Sequence, residues 1–504
     1  MPLSVPVFSL PSSLLLHGEE RAGREHGDNS EGEVKAGDVD MKTELRDDNI
    51  PTASLSPVED TPVGSFRRVL KNRPFLLLWL AQLLSQIVFN AANYGVIAIV
   101  TAVTHSTVLV GLAIISFTLP AVPFSLLAGV YVDYLDKRLV LWVSNALRAA
   151  TTGLIVFALL WNPHMLVPLF FLTFLISLVT QFFIPAEASA IPLLVSKNDL
   201  APALSLFNIT LTIAQALGFL ILGGLLTVLF PSFLLSFGLL HVQVQSFDML
   251  FALVALVYVI CTLLILAIPK RALQQEQRAE PALLRSLEKQ SWQIIRQDVK
   301  EAWDYVRQDH TLLLALLRVS FVSILLLVIG EVVGPFVVNV LHLPVQDMPI
   351  ILAPGGLGLV LGGLLTPALT RRLGQNRTIT LGSLCTAACL SLIPLGHFLW
   401  SRLALPTPGI LYYVGAVTFV LGVALDMVNI PAQTMMQEQA PAEERGRMFS
   451  FQSMLFNAGS IPVLLFAGVI GDTLGIETVM YLLAAAILAF SWWAARYSHR
   501  LVVS

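Results

Sequence analysis

Charged residues are scarce in this chain. Asp, Glu, Lys and Arg together make up 12% of its 504 residues, about half the share found in ordinary soluble proteins, which excludes a water-soluble globular protein of this size. Cysteine is scarcer still. Cys261, Cys385 and Cys389 are the only three, and each falls inside an apolar run, so the thiols read as small buried hydrophobes and neither a disulfide framework nor a metal site is expected. The nine histidines are scattered, with no His-Glu-x-x-His pair, and no Gly-x-x-x-x-Gly-Lys-Ser/Thr loop occurs, so the chain offers no built-in ATPase and little support for a membrane-embedded enzyme. The opening segment lacks a basic flank and a small-residue cleavage site, so it does not read as a secretory signal. Met41 is an alternative start. What the chain has in excess is apolar length: 56% hydrophobic residues, a mean hydropathy of +0.77, and about twelve runs long enough to cross a bilayer between Phe75 and Trp493.

Those runs centre near Gln86, Leu119, Thr151, Phe174, Gln215, Val257, Ile324, Leu361, Cys389, Val420, Leu465 and Ala486. An even number returns both termini to one side, and the distribution of Lys and Arg indicates which. Arg67, Arg68, Lys71 and Arg73 precede the first run, Lys137 and Arg138 follow the second, and eight basic residues lie from Lys270 to Arg307 after the sixth. Arg371, Arg372, Arg377, Arg445, Arg447, Arg496 and Arg500 continue the series, whereas the opposite loops hold only Arg402. Both termini are therefore expected in the cytoplasm, with the chain a multi-pass protein of the plasma (inner) membrane.

The fold expected is an all-α membrane protein of twelve transmembrane helices in two six-helix pseudo-symmetric halves. Ile184-Pro185-Ala186 at the end of the fourth run recurs as Ile430-Pro431-Ala432 at the end of the tenth. Gly129 with Lys137 and Arg138 recurs as Gly363 with Arg371 and Arg372. Two such repeats suit a device that rocks one half against the other. Residues 1–64, with 13 acidic against five basic side chains, read as a disordered cytoplasmic tail. Residues 65–268 and 311–495 form the halves, 269–310 a cytoplasmic linker with an amphipathic helix, and 496–504 a C-terminal tail.

The stretch Gly129-Val-Tyr-Val-Asp133-Tyr-Leu-Asp136-Lys137-Arg138, continuing to Arg148, resembles the loop motif of the major facilitator superfamily, in the version carried by macrolide-efflux and siderophore-exporter-like members. Arg73-Pro-Phe, Phe183-Ile-Pro185-Ala186 and Glu444-Arg445-Gly446-Arg447 are similar to the same subgroup. Three positions depart from its pattern: Tyr134 stands where Arg is usual, Phe89 and Asn90 where the first run commonly has an acid, and Phe219 where a proline is expected. The resemblance implies a cytoplasmic gate in which Asp133 meets the N-terminus of the eleventh helix, whose dipole favours an anion, with Gly129, Lys137, Arg138, Arg148, Arg445 and Arg447 around it. The bland alternative is a solvated loop pair.

Ionisable groups within an apolar run are costly and so are candidates for function. Glu331, in Gly330-Glu331-Val-Val-Gly334-Pro335, and Asp426 are the coupling candidates; a hydrogen-bonded structural acid near the outer face is the other reading of Glu331. Glu187 reads as lying at the membrane surface, and Arg148 and Arg318 as snorkelling or pairing with the gate. Gln82, Gln86, Asn90 and Asn93 recur at helical spacing as one polar stripe, facing either a substrate cavity or another helix. Together with the resemblance, these features imply export of hydrophobic or amphipathic small molecules driven by the proton gradient, with no cofactor, no nucleic acid and no ATPase subunit. Export of a siderophore, lysolipid or other specific metabolite is the alternative.

Overall fold

Apolar segments of this length cannot leave backbone polar groups unpaired in lipid, so they close their hydrogen bonds within helices. The computed structural model shows this outcome; it describes residues 62–162, 164–196, 199–217, 233–237, 240–273, 300, 303, 306–307, 309–403, 407–439 and 445–503. The first half comprises α1 (Pro62–Lys71), α2 (Arg73–Thr104), α3 (Thr107–Thr118), α4 (Ala121–Tyr134), α5 (Lys137–Trp161), α6 (Leu166–Leu194), α7 (Leu200–Leu217) and α8 (Ser246–Leu266). The second comprises α9 (His310–Pro335), α10 (Met348–Leu373), α11 (Gln375–Arg402), α12 (Thr407–Gln439), α13 (Arg445–Leu474) and α14 (Ile476–Val503). Among the described residues, eleven helices are long and apolar enough to cross a membrane, and α7 is a shorter apolar helix at the expected fifth position.

Local chemistry sets the ends of these helices. Ser106 accepts a bond from the Leu109 amide to cap α3, Asp136 accepts from Arg138 and Leu139 to cap α5, and Asp309 does the same for α9. Gly374 and Gly475, at φ 84° and 91°, make the tight links after α10 and α13. The expected second span is broken: α3 stops at a turn through Leu119 and Pro120 before α4 resumes, because proline removes a backbone donor. Directly after Pro335, α9 gives way to a π-helical turn, Phe336–Val340.

The all-helical layout carries one short addition, a hairpin of β1 (Phe233–Phe237) and β2 (Leu240–Val244) paired antiparallel. The expected C-terminal tail is largely helical, since α14 runs to Val503. The acidic tail up to residue 61 and most of the expected amphipathic linker helix lie outside the described residues. At the end of that linker Val306 is buried and the Trp303 ring stands 6.0 Å from that of Phe451 on α13.

In the first half α5 packs on α6 and α8, and α2 on α8; in the second, α12 packs between α10 and α11. Gly358, Gly362 and Gly422 let α10 and α12 approach backbone to backbone, as small residues do where no hydrophobic effect drives helices together. Side chains such as Leu154, Phe157, Val167, Leu364 and Phe466 point outward, as they would toward lipid. One apolar cluster runs continuously through both halves at the end bearing residues 105–107 and 474–475. Toward the end bearing Lys71, Lys137, Arg138 and Arg371 it divides into two separate clusters, one per half. The first of these ends is the far face and the second the basic face.

Candidate functional site

The polar stripe of α2 turns into the protein. Gln82, Asn90 and Asn93 are buried and Gln86 is half-buried. Asn90 donates to the Gln86 carbonyl at 2.9 Å, while Gln82 Oε1 and Asn93 Oδ1 accept no hydrogen bond. Buried amides without partners are uncommon in proteins. Beside the stripe, Arg148 of α5 is almost completely buried. Its Nη1 donates to Ser85 Oγ at 3.0 Å and to Asn145 Oδ1 at 3.4 Å, and its guanidinium lies 4.4 Å from the Phe183 ring centre and 5.7 Å from that of Tyr258. Arg148 thus sits inside one half rather than snorkelling to a surface. Glu187 is a correction as well: α6 continues through Pro185 without a break, and this carries Glu187 into the interior, 2% exposed, rather than to the membrane surface.

At the basic face, the sequence-predicted gate is placed only in part. Gly129 is buried. Lys137 is buried, its ammonium donating to the Val132 carbonyl, so it is not a solvated loop residue. Arg138 Nη2 donates to the Leu266 carbonyl at 2.5 Å, tying α5 to α8. The side chains of Asp133, Arg445 and Arg447 lie outside the described residues; their helices α4 and α13 do touch.

The far face holds the densest contact between the halves. Asp472, near the C-terminal end of α13, accepts from the Ser106 hydroxyl at 2.5 Å, the Thr107 amide at 2.5 Å and the Val108 amide at 3.3 Å. A carboxylate of the second half thereby caps a helix N-terminus of the first, using both the free amides and the helix dipole. Asn339 adds a bond to the His105 carbonyl at 2.9 Å. Among the described residues, the hydrogen bonds that cross between the halves lie here.

Glu331 lies in the same seam. It is 0% exposed, and neither of its carboxyl oxygens has a hydrogen-bond partner. Its slot is made by glycines from both halves. A Cβ on Gly111 of α3 would collide with Glu331 Oε1, and one on Gly468 of α13 would stand 3.0 Å from Oε1 and 2.7 Å from the Cα of Val108. One turn further along α9, a Cβ on Gly334 would meet Thr101 Oγ1 of α2 at 2.6 Å. Reasoning from sequence missed Asp472, because it lies beside a loop where an acid looks solvated. The readable signal was Gly468-x-x-Gly471-Asp472, two small residues on one helix face leading to an acid.

Asp426 is remote from that seam. It is half-buried on α12 beside Gly362 of α10, whose Cβ would stand 2.9 Å from that of Asp426. The coupling candidates are therefore not brought together. A mostly apolar crevice between α9, α11, α12 and α14 is lined by Phe321, Leu325, Ile379, Thr386 and Phe490 together with Arg318. Arg318 is buried and donates to Asn376 at 2.8 Å.

A 151-residue stretch is 29% identical to the uncharacterized MFS-type transporter YkuC of Bacillus subtilis (strain 168), covering 30% of this chain and 35% of that relative, so about a third of its length is spanned. Among solved structures, the nucleoside transporter NupG superposes with a TM-score of 0.59 at 16% identity, over 84% of this chain and 98% of its own. A bacterial homologue of the iron transporter ferroportin in an inward-facing state gives 0.59 at 15% identity, over 84% and 98%. A bacterial homologue of the lysosomal transporter Spinster, inward-facing and unoccupied, gives 0.59 at 14%, over 86% and 97%. Identities this low speak for the fold alone. Residues 78–461, most of the length, match the model of the Major Facilitator Superfamily, and the chain belongs to that family.

Proposed function

We propose that this protein is a secondary active transporter that exports hydrophobic or amphipathic small molecules across the plasma membrane by alternating access, with proton movement as the driving force and Glu331 as the residue that carries the proton. The observation that carries the reading is the position of Glu331: a carboxyl without a partner, in a slot that exists only while the two halves are together. An ionised carboxylate there would cost several kcal/mol, so its ionisation is tied to whether the halves are apart. Family membership supports transport. The distribution of Lys and Arg supports a cytoplasmic basic face, both termini inside, and an outer far face. The buried amides of α2 are the proposed lining of the substrate path, and Asp133 with Lys137, Arg138, Arg445 and Arg447 the proposed lock of the basic face. Residues 1–64 and 269–310 are the proposed tail and linker around halves 65–268 and 311–495.

The test is accumulation of lipophilic dyes, macrolides and siderophores in an efflux-deficient host expressing the protein, with a protonophore and Glu331→Gln as controls. Reduced accumulation abolished by both controls is the expected result. No change across the panel, with the protein present in the membrane, overturns broad export. The apolar crevice favours a second reading, export of a lysolipid. Its lining is apolar apart from Arg318 and a few hydroxyls, which suits an amphipath, so accumulation of labelled lysophospholipid in the same cells distinguishes the two.

A further inference from the structure

We infer that Asp472 is the latch of the far face and that the latch closes only over a neutral Glu331, so that each closure of this face takes up one proton from the side it faces. The inference rests on the proposed proton-carrying role of Glu331 and adds where and when the proton is loaded.

Two carboxyl groups in one seam are held in opposite ways. Asp472 has three donors from Ser106, Thr107 and Val108, an arrangement that stabilises the ionised form. Glu331 has none. Its slot is closed by Gly111 of the first half and by Gly468 of its own half, so separating α3 from α13 removes the Gly111 wall and admits water. Gly468 and Asp472 are one turn apart on α13, and both address residues 107–108 of α3. The bond that latches the face and the contact that dehydrates Glu331 therefore form and break in the same movement.

Among the described residues of the surrounding helices, no cation stands beside Glu331 to compensate its ionised form. From α13 it faces Asp472, a like charge. α3 has no titratable side chain between Thr107 and Thr118. α2 presents Thr101 to the neighbouring turn of α9, with buried Tyr94 deeper along α2 and exposed His105 at its end. On the helices of the second half, Glu477 of α14 is bound to His397 of α11 at 3.1 Å, and Asp426 of α12 lies beside Gly362. Low pH on the far side therefore favours the closed face, and high pH favours the open one.

The experiment places a cysteine at Val108 in the full chain, with Cys261, Cys385 and Cys389 replaced by alanine. It measures labelling by a membrane-impermeant maleimide applied from the far side at pH 6 and pH 8. Rates are divided by those of a cysteine at exposed His164, which corrects for the reactivity of the thiol itself. The expected result is labelling about tenfold slower at pH 6 than at pH 8. Glu331→Gln abolishes that difference and leaves labelling slow at both. Asp472→Ala raises labelling about tenfold at both pH values while keeping the difference, and Asp472→Glu restores part of the closure. Unchanged labelling in Asp472→Ala overturns the latch, and a full pH difference in Glu331→Gln overturns the proton uptake. A pH-dependent seam in a protein that exports none of the panel compounds would sink the export reading and leave this inference standing. Export that needs Glu331 while the seam ignores pH would do the reverse.

Discussion

The interior of the first half and the far-face seam both bury ionisable groups, but they hold them differently. Within the first half, Arg148 and Glu187 bury opposite charges in one helical bundle, and Arg148 is held by Ser85, Asn145 and two aromatic faces. In the seam, Glu331 and Asp472, both of the second half, bring two acids together against α3 of the first. Balanced charge inside a single body suits a structural role. Like charge facing a joint suits a moving part, because the water that opening admits relieves the cost of ionising the second group.

Breaking the balanced site gives the largest expected effect on stability. Arg148→Ala removes a buried cation with its hydrogen bonds, and the loss is about 3–5 kcal/mol, visible as loss of the monodisperse peak in detergent. Glu331→Gln, in contrast, changes stability by less than about 1 kcal/mol, because a neutral amide replaces a group that has no partner to lose. Its effect falls on transport. The expected outcome is gradient-dependent export by the parent, as proposed, and a Gln protein with no pH-dependent step between pH 6 and 8. Equal destabilisation by the two substitutions would erase the contrast.

Gly111→Ala comes next. The added methyl meets Glu331 Oε1, and overpacking of this kind costs about 1–3 kcal/mol. Because the clash exists only with the face closed, the cost appears as faster far-side labelling of the Val108 cysteine. Pairing it with Glu331→Ala, which clears the space, restores slow labelling.

The helices and their division into two halves were legible because twenty-residue apolar runs and the placement of Lys and Arg are local patterns in the chain. The kink at Pro120, the hairpin and the extension of α14 to Val503 were not, since apolar runs register length and not breaks within it. Glu331 stood out as an acid among apolar residues. Its surroundings did not, because the slot comes from Gly111 and Gly468, over a hundred positions away on either side. Asp472 escaped notice for the opposite reason: near a loop, only a partner from the other half distinguishes it from a solvated acid. Glu187 was misplaced because two prolines near the end of a run look like the end of a helix, whereas α6 absorbs both.

The smallest effect separates charge from geometry within the seam. Asn339 and Asp472 both bond to the α2–α3 junction, Asn339 at the His105 carbonyl, 2.9 Å away and exposed, Asp472 at the amides that begin α3. His105 adopts a left-handed backbone, φ 54°, with its own amide returning to Thr101, so its carbonyl is presented outward whether or not Asn339 is there. A neutral, water-exposed bond contributes at the low end of the usual range, about 0.5 kcal/mol, equivalent to about a twofold rise in labelling of the Val108 cysteine in Asn339→Ala. Charge-assisted bonds to a helix N-terminus contribute more, hence the larger rise in Asp472→Ala. If the two variants open the far face equally, contact at the junction holds it shut, and the carboxylate has no special part. A clear excess for Asp472 ties closure to the one acid of the seam that stays ionised while its neighbour does not.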